Sequence, residues 1–279
     1  MGGVDRRTEL SMFLRSRRDR VTPQEVGLAT HGRRRVPGLR REELAQLAGV
    51  SIDHYVRLEQ GRNPHVSEQV LDAIARALRL SADETRHLRN LARPESSRSQ
   101  QEPVADVRAS LRMLLDTLAG PAYIVGPRAE FIAWNDLAKG VFADFPTLPA
   151  AERNAARLVF FDQTFRELFG QSLPRKCADT VAYLRLNAGR YADDPQLIEL
   201  IGTLSMRSQE FRQLWAQQDV NDKSHGRYRL DHPLVGPLDL HYEAVDVAGT
   251  GNWKLIAYSA QPGTPSADAL RLIGSWNSS

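Results

Sequence analysis

The sequence predicts two folded regions of different class: an all-α unit, then an α+β unit built on an antiparallel sheet. Three observations predict it. Residues 8–92 carry short apolar stripes of helical period separated by helix-capping signals. Residues 93–103, RPESSRSQQEP, are polar, serine-rich and bracketed by proline, which is linker composition. Beyond them, apolar runs of strand length fall at both ends of the region, with helical patterns between. A chain of 279 residues has room for about two domains. The expected division is 1–93 for the helical domain, 94–104 for the linker and 105–279 for the second domain.

In the first region, Leu10, Phe13 and Leu14 share one stripe of a helix over 8–19, with arginines opposite. Thr22-Pro23-Gln24-Glu25 is a capping box with proline at the first helical position, so a short helix starts there. THGRRRVPG, residues 30–38, reads as a loop. Helices over 39–48 and 52–60 come next, split at Gly49. Ser67 opens a helix whose apolar face is Val70, Leu71, Ile74, Ala75 and Leu78. Ser81-Ala82-Asp83-Glu84 caps a last helix running to about Ala92.

The second region opens with a helix over 104–118. AYIVGPRAEFIAWN then reads as a β-hairpin turning at Gly126-Pro127. Asn135 caps a helix that turns Leu137, Ala138, Val141 and Phe142 inward. Residues 150–218 read as helices, and strands return at about 226–231, 237–246 and 253–260. A short helix in PGTPSADALRLIGSW closes the pattern.

Composition narrows the function. Apolar residues make up 42% and charged residues 25%, an ordinary soluble balance. The single cysteine, Cys177, excludes an internal disulfide framework and fits a reducing compartment. No apolar run approaches the ~20 residues of a membrane span, and MGGVDRRTEL lacks the apolar core of a signal peptide. A cytoplasmic protein with no membrane attachment is expected. The net charge of +3 is uneven: residues 1–100 hold 19 Arg, no Lys and 13 acids, whereas the remainder holds 18 basic residues against 21 acids. A basic head on a mildly acidic body points to a nucleic-acid-binding domain fused to a second function.

The stretch ELAQLAGVSIDHYVRLEQGR, residues 43–62, shows how such a head would read DNA. Two helices that cross closely need a small residue at the contact, which Ala45 supplies. Their turn needs a residue that tolerates positive φ, which Gly49 supplies. Leu44, Ala48, Val50, Tyr55 and Leu58 fill the buried positions. Ser51 caps the second helix, and Asp53 suits its positive end. Ile52, Asp53, Val56, Arg57 and Gln60, with His54 beside them, are left facing outward, where base edges would lie.

Residues 8–92 resemble the XRE family of helix-turn-helix repressors, most specifically in LRREELAQLAGVSIDHYVRLEQGR. The resemblance implies that Ile52, Asp53 and Arg57 reach bases and that Arg41 and Arg62 touch phosphate. It also implies that Glu59 packs inward against Arg18. Ser51, His54 and Arg40 complete the candidate contact set. Arg33, Arg34 and Arg35 precede the motif directly and are candidates for phosphate or minor-groove contact. Two departures stand out. The 30–38 loop is longer than in compact repressors, and Asp53 replaces the amide that often reads adenine. Asp53 then either orients Arg57 through an (i, i+4) ion pair or accepts from a cytosine amine.

In the second region, GPAYIVGPRAEFIAWNDLAKGVF, PAAERNAARLVFF, YADDPQL, SQEFRQLWAQQDV, HPLVGPLDLHYEAV and YSAQPGTPSADALRLI resemble, in this order, the MmyB-like ligand-binding domain. The resemblance implies a PAS-like sensor with an apolar, fatty-acid-like effector. It departs at Gln163, where proline is common. Taken as residues alone, Trp134, Phe161, Phe165, Phe211 and Trp215 serve equally as core. A fatty acid needs a cation for its carboxylate, and Arg153, Arg190 and Arg212 lie in segments read as helical. The ligand-site candidates are therefore Trp134, Phe161, Arg190, Arg212, Trp215 and Tyr242.

No histidine pair has ligand spacing, and no nucleophile elbow, phosphate loop or dinucleotide fingerprint occurs. No metal, cofactor or catalytic role is expected. The reading is a one-component transcription regulator, a repressor and homodimer, that binds a double-stranded operator under control of a small apolar effector. The alternatives are a regulator whose second domain engages a partner protein, or an enzyme carrying a DNA-binding domain.

Overall fold

The computed structural model describes residues 6–28, 38–62, 66–93, 107–220 and 224–277. The expected arginine loop, with Arg33, Arg34 and Arg35, and the expected linker 94–104 lie outside these residues. The chain forms two compact units.

The first unit contains the N-terminal helices α1 (Arg6–Arg20), α2 (Arg41–Ala48), α3 (Ile52–Glu59), α4 (Glu68–Ala77) and α5 (Ala82–Ala92). It also takes in residues 185–202 and 215–221. The capping signals act as the sequence implies: the hydroxyls of Ser51, Ser67 and Ser81 accept from the backbone N–H of His54, Val70 and Glu84. Thr22 N donates to the Glu25 carboxylate at 2.7 Å, but this box opens only a single 3₁₀ turn, Gln24–Val26. The core gathers Phe13 and Leu14 of α1, Leu44 and Ala45 of α2, Tyr55 and Leu58 of α3, and Leu71 and Ile74 of α4. Leu186 and Val220 join this core from far along the chain.

The second unit is built on an antiparallel sheet of order β2-β1-β5-β4-β3, from β1 (Ala122–Val125), β2 (Phe131–Trp134), β3 (His225–His232), β4 (Gly236–Asp246) and β5 (Lys254–Ser259). Strand alternation gives the sheet two different faces. Ala122, Ile124 and Ala133 pack with Trp253 under Leu111 and Leu115 of α6 (Ala109–Thr117). The other face carries Tyr123, Tyr258, Tyr242 and Tyr228, one on each of β1, β5, β4 and β3. The register makes Tyr242 and Tyr258 direct cross-strand partners.

The remaining elements are helices α7 (Asp136–Val141), α8 (Ala155–Phe161), α9 (Gln163–Phe169), α10 (Leu173–Arg190), α11 (Pro195–Arg207), α12 (Gln209–Ala216) and α13 (Pro265–Asn277). Asn135 explains the strand-to-helix corner after β2. Its Oδ1 accepts from Ala122 N at 3.0 Å and Ala138 N at 2.9 Å, and its Nδ2 donates to Gly120 O at 2.8 Å. Among the described residues, α6 begins at Ala109, and Arg153 sits in the turn before α8 rather than in a helix.

Candidate nucleic-acid interface and aromatic sheet face

The helix-turn-helix is assembled by short-range chemistry. Ala45 is fully buried, so α2 and α3 approach without a side chain between them. Gly49 takes φ +66° in the turn, a conformation that costs other residues about 1–2 kcal/mol. Leu44, Tyr55 and Leu58 are fully buried and Ala48 nearly so, whereas Val50 is only partly covered.

The far end of α3 is fixed as firmly. Gly61 N donates to Leu58 O and Arg62 N to Arg57 O, both at 2.8 Å, with Gly61 at φ +65°. This is a Schellman motif, which closes the last carbonyls of a helix. It ties the backbone of Arg62 to that of Arg57.

Ser51, Ile52, Asp53, Arg57 and Gln60 are exposed along one side of α3, and His54 and Val56 are half-buried beside them. Ile52 is 51% exposed, an apolar side chain left for a partner. Arg40, Arg41 and Arg62 are exposed on the same motif. No ion pair joins Asp53 to Arg57 among the described residues, so the (i, i+4) role suggested for Asp53 is not realised.

Glu59 has the inward position expected of it, 2% exposed, with Arg18 Nη2 at 3.5 Å from Oε1. Its closer partner is Arg41, whose Nε donates to Oε2 at 2.7 Å. That hydrogen bond and the charge of Glu59 raise the Arg41 pKa further. Arg41, expected at phosphate, thus has its guanidinium held by Glu59 through Nε and, at 3.4 Å, through Nη2, while its side chain stays 49% exposed. Spacing alone did not reveal this second partner, because Arg41 and Glu59 are 18 residues apart.

Of the ligand-site candidates, Trp134, Phe161, Arg212 and Tyr242 fall in the second unit, and Arg190 and Trp215 in the first. The Trp134 ring lies 4.9 Å from that of Phe145, and Arg207 lies 4.5 Å above the Phe161 ring. Arg212 donates to the carbonyls of Ser205, at 2.7 Å, and Met206, closing the end of α11. Arg190 is exposed over Tyr191. Arg185 stacks on Trp215 at 4.0 Å. Phe165 and Phe211 are core. Helical period predicts a face, but not which faces converge.

Tyr242 is the candidate that the fold places in a distinctive setting. Tyr228 stacks on Tyr242 at 5.1 Å, and Tyr242 and Tyr123 both flank Tyr258 at 5.8 Å. The hydroxyls of Tyr123 and Tyr258 bond at 2.9 Å, and Tyr228 donates to Asp179 of α10 at 2.6 Å. Phe142 and Phe169 cover the row. Burial, above all, raises the pKa values of Tyr228, Tyr242 and Tyr258, so their hydroxyls stay neutral donors at physiological pH. Burial first, then Glu210, push the Cys177 thiol up to about 12, which keeps it protonated at neutral pH.

Among the described residues no group of His, Cys, Asp and Glu is arranged to hold a metal ion, and no helix is long and apolar enough to cross a membrane. No curated protein matches the chain. Residues 9–88 match a helix-turn-helix domain, and residues 107–273 match the MmyB-like transcription regulator ligand binding domain. The latter match alone covers more than half of the 279 residues, so the chain belongs to the MmyB-like transcription regulators, with a helix-turn-helix DNA-binding domain ahead of a ligand-binding domain.

Proposed function

We propose that the protein is a one-component repressor whose hold on its operator is set by a small apolar, fatty-acid-like effector. The observation that carries the DNA half is the outward face of α3, where Ile52, Asp53 and Arg57 stand exposed on a helix locked at both ends. In this reading Ser51, Ile52, Asp53, His54 and Arg57 address base edges in the major groove. Arg40, Arg41 and Arg62 hold phosphate, and Arg33, Arg34 and Arg35 add contacts beside the motif. Asp53, having no ion pair with Arg57, accepts from a cytosine amine.

The effector half rests on the aromatic sheet face around Tyr242. The chain of an amphiphile suits such a lining of aromatic rings. Trp134, the cross-strand partner of Tyr123, extends the apolar lining, and Phe161, Arg190, Arg212 and Trp215 remain candidates for the effector's contacts.

The protein works in the cytoplasm as a homodimer with residues 105–279 as the dimerising part, since one motif reads too few base pairs to stand out in a genome. Two copies would address half-sites about 34 Å apart, or a multiple of that. Mass spectrometry of lipid extracted from the purified protein tests the effector class. A stoichiometric fatty acid is expected; a ligand-free chain that binds its operator unchanged in the presence of fatty acids would favour a partner-protein module instead.

A further inference from the structure

The first unit contains a buried charged cluster that joins residues far apart in the sequence. Arg185 is fully buried. Its Nη1 donates to Glu9 Oε2 of α1 at 2.9 Å and to Gln218 Oε1 at 2.8 Å, and its Nη2 donates to Trp215 O. Arg17 of α1, 2% exposed, places Nε 2.9 Å from Glu84 Oε1 of α5 and donates to Gln218 O. Burial outweighs the carboxylates and lowers both guanidinium pKa values to about 10, so both stay charged. Two cations therefore meet two anions, Glu9 and Glu84, at 5% and 8% exposure. His87 of α5 packs edge-on to Phe13, and Gly189 passes so close that a Cβ there would sit 2.7 Å from the imidazole.

The two halves of the cluster have different origins. Glu9, Arg17 and Glu84 belong to the matched helix-turn-helix sequence, whereas Arg185, Trp215 and Gln218 belong to the matched ligand-binding sequence. Helix α10 carries both kinds of contact. Asp179, which accepts from Tyr228 of the tyrosine row, precedes Arg185 by six residues, about 9 Å along the helix axis.

A buried ion pair adds little net stability, but it is costly to leave half-made, so it favours one arrangement sharply over displaced ones. A displacement of α10 that an effector imposes through Asp179 must either carry Arg185 with it or break its bonds to Glu9 and Gln218. We infer that the cluster of Arg185, Glu9 and Gln218 is the transmission element of the regulator: it converts a shift of α10 into a shift of α1, and so into a change of DNA affinity. Arg185 acts here as a positioning residue and touches neither DNA nor effector. The inference rests on the effector-gated reading above.

The test uses full-length, delipidated protein and an operator obtained by selection from random DNA. DNA affinity is measured with and without an equimolar mixture of even-chain saturated fatty acids from octanoate to stearate, for wild type, R185M, R185K, E9Q and the E9Q/R185M double variant. Lipid binding is followed by calorimetry and folding by melting curves. Wild type should change affinity about five-fold or more. R185M and E9Q should bind lipid yet lose that change, the E9Q/R185M double variant should be no worse than either alone, and R185K should restore part of it. Folded variants that keep the wild-type response overturn the transmission role and leave effector gating intact. A wild type that does not respond overturns the gating itself. If R185M fails to fold, E9Q and R185K decide.

Discussion

Arg41 Nε donates to Glu59 Oε2 at 2.7 Å, which joins the first residue of α2 to the last residue of α3. With Arg18 on the other oxygen at 3.5 Å, the pair fixes the angle at which α3 is presented. Glu59→Gln should lower stability by about 1–3 kcal/mol, because the buried Arg18 loses its buried carboxylate and keeps Leu39 O and the more exposed Asp19 as partners. Chemical denaturation of the full chain measures this. An unchanged midpoint would show that the carboxylate carries no structural role.

The two glycines of the motif should respond differently to alanine. Gly49 has positive φ but open space, so Gly49→Ala should cost about 1 kcal/mol. Gly61 combines positive φ with a Cβ position 2.7 Å from Arg7 Cβ, so Gly61→Ala should cost clearly more. Equal melting temperatures for the two variants would contradict the close approach of α1 to this turn.

On DNA the two exposed arginines of α3 and its cap should separate. Arg57→Ala should lose about 1–3 kcal/mol of discrimination between operator and random sequence. Arg62→Ala should weaken both almost equally and reduce the slope of log affinity against log salt by about 1. Competition binding at several salt concentrations distinguishes them. The same loss of specificity in both variants would mean that α3 is oriented otherwise.

His87 makes stability depend on pH. Its buried, neutral ring has a pKa of about 3, lowered first by burial and then by Arg185 and Arg17. The unfolded chain takes up a proton below pH 6.5, its ordinary value, while the folded chain does not until about 3. Stability therefore falls as pH drops through that window, by up to about 1.4 kcal/mol per pH unit from this residue. Denaturation of wild type and His87→Leu between pH 7 and 4 checks it. The variant should show a shallower decline, and parallel curves would exclude His87 as the cause.

Much of the fold is legible in the sequence because it depends on near neighbours along the chain. Ser51, Ser67 and Ser81 cap their helices, Asn135 caps α7 through Ala138, and Gly49 splits α2 from α3, each through contacts only a few residues away. The sheet is legible as strands, since alternation and turn residues are local too. The hidden part is long-range. Arg185 and Glu9 are 176 residues apart, and nothing in the spacing of either pairs them. The tyrosine row is equally invisible, because its four members sit on four strands whose register the tertiary fold sets. Arg212 and Trp215 stand out by residue type, and only the structure shows their engagement.

In the proposed function a small apolar effector changes the affinity of this helix-turn-helix for DNA. The most direct measurement is the anisotropy of a labelled operator titrated with full-length delipidated protein, repeated after adding back the lipid extract of the same preparation. Effector gating should shift Kd by about five-fold or more, and the shift should reverse when the lipid is removed again. Superimposable titrations, from protein shown by mass spectrometry to have taken up the lipid, would contradict it.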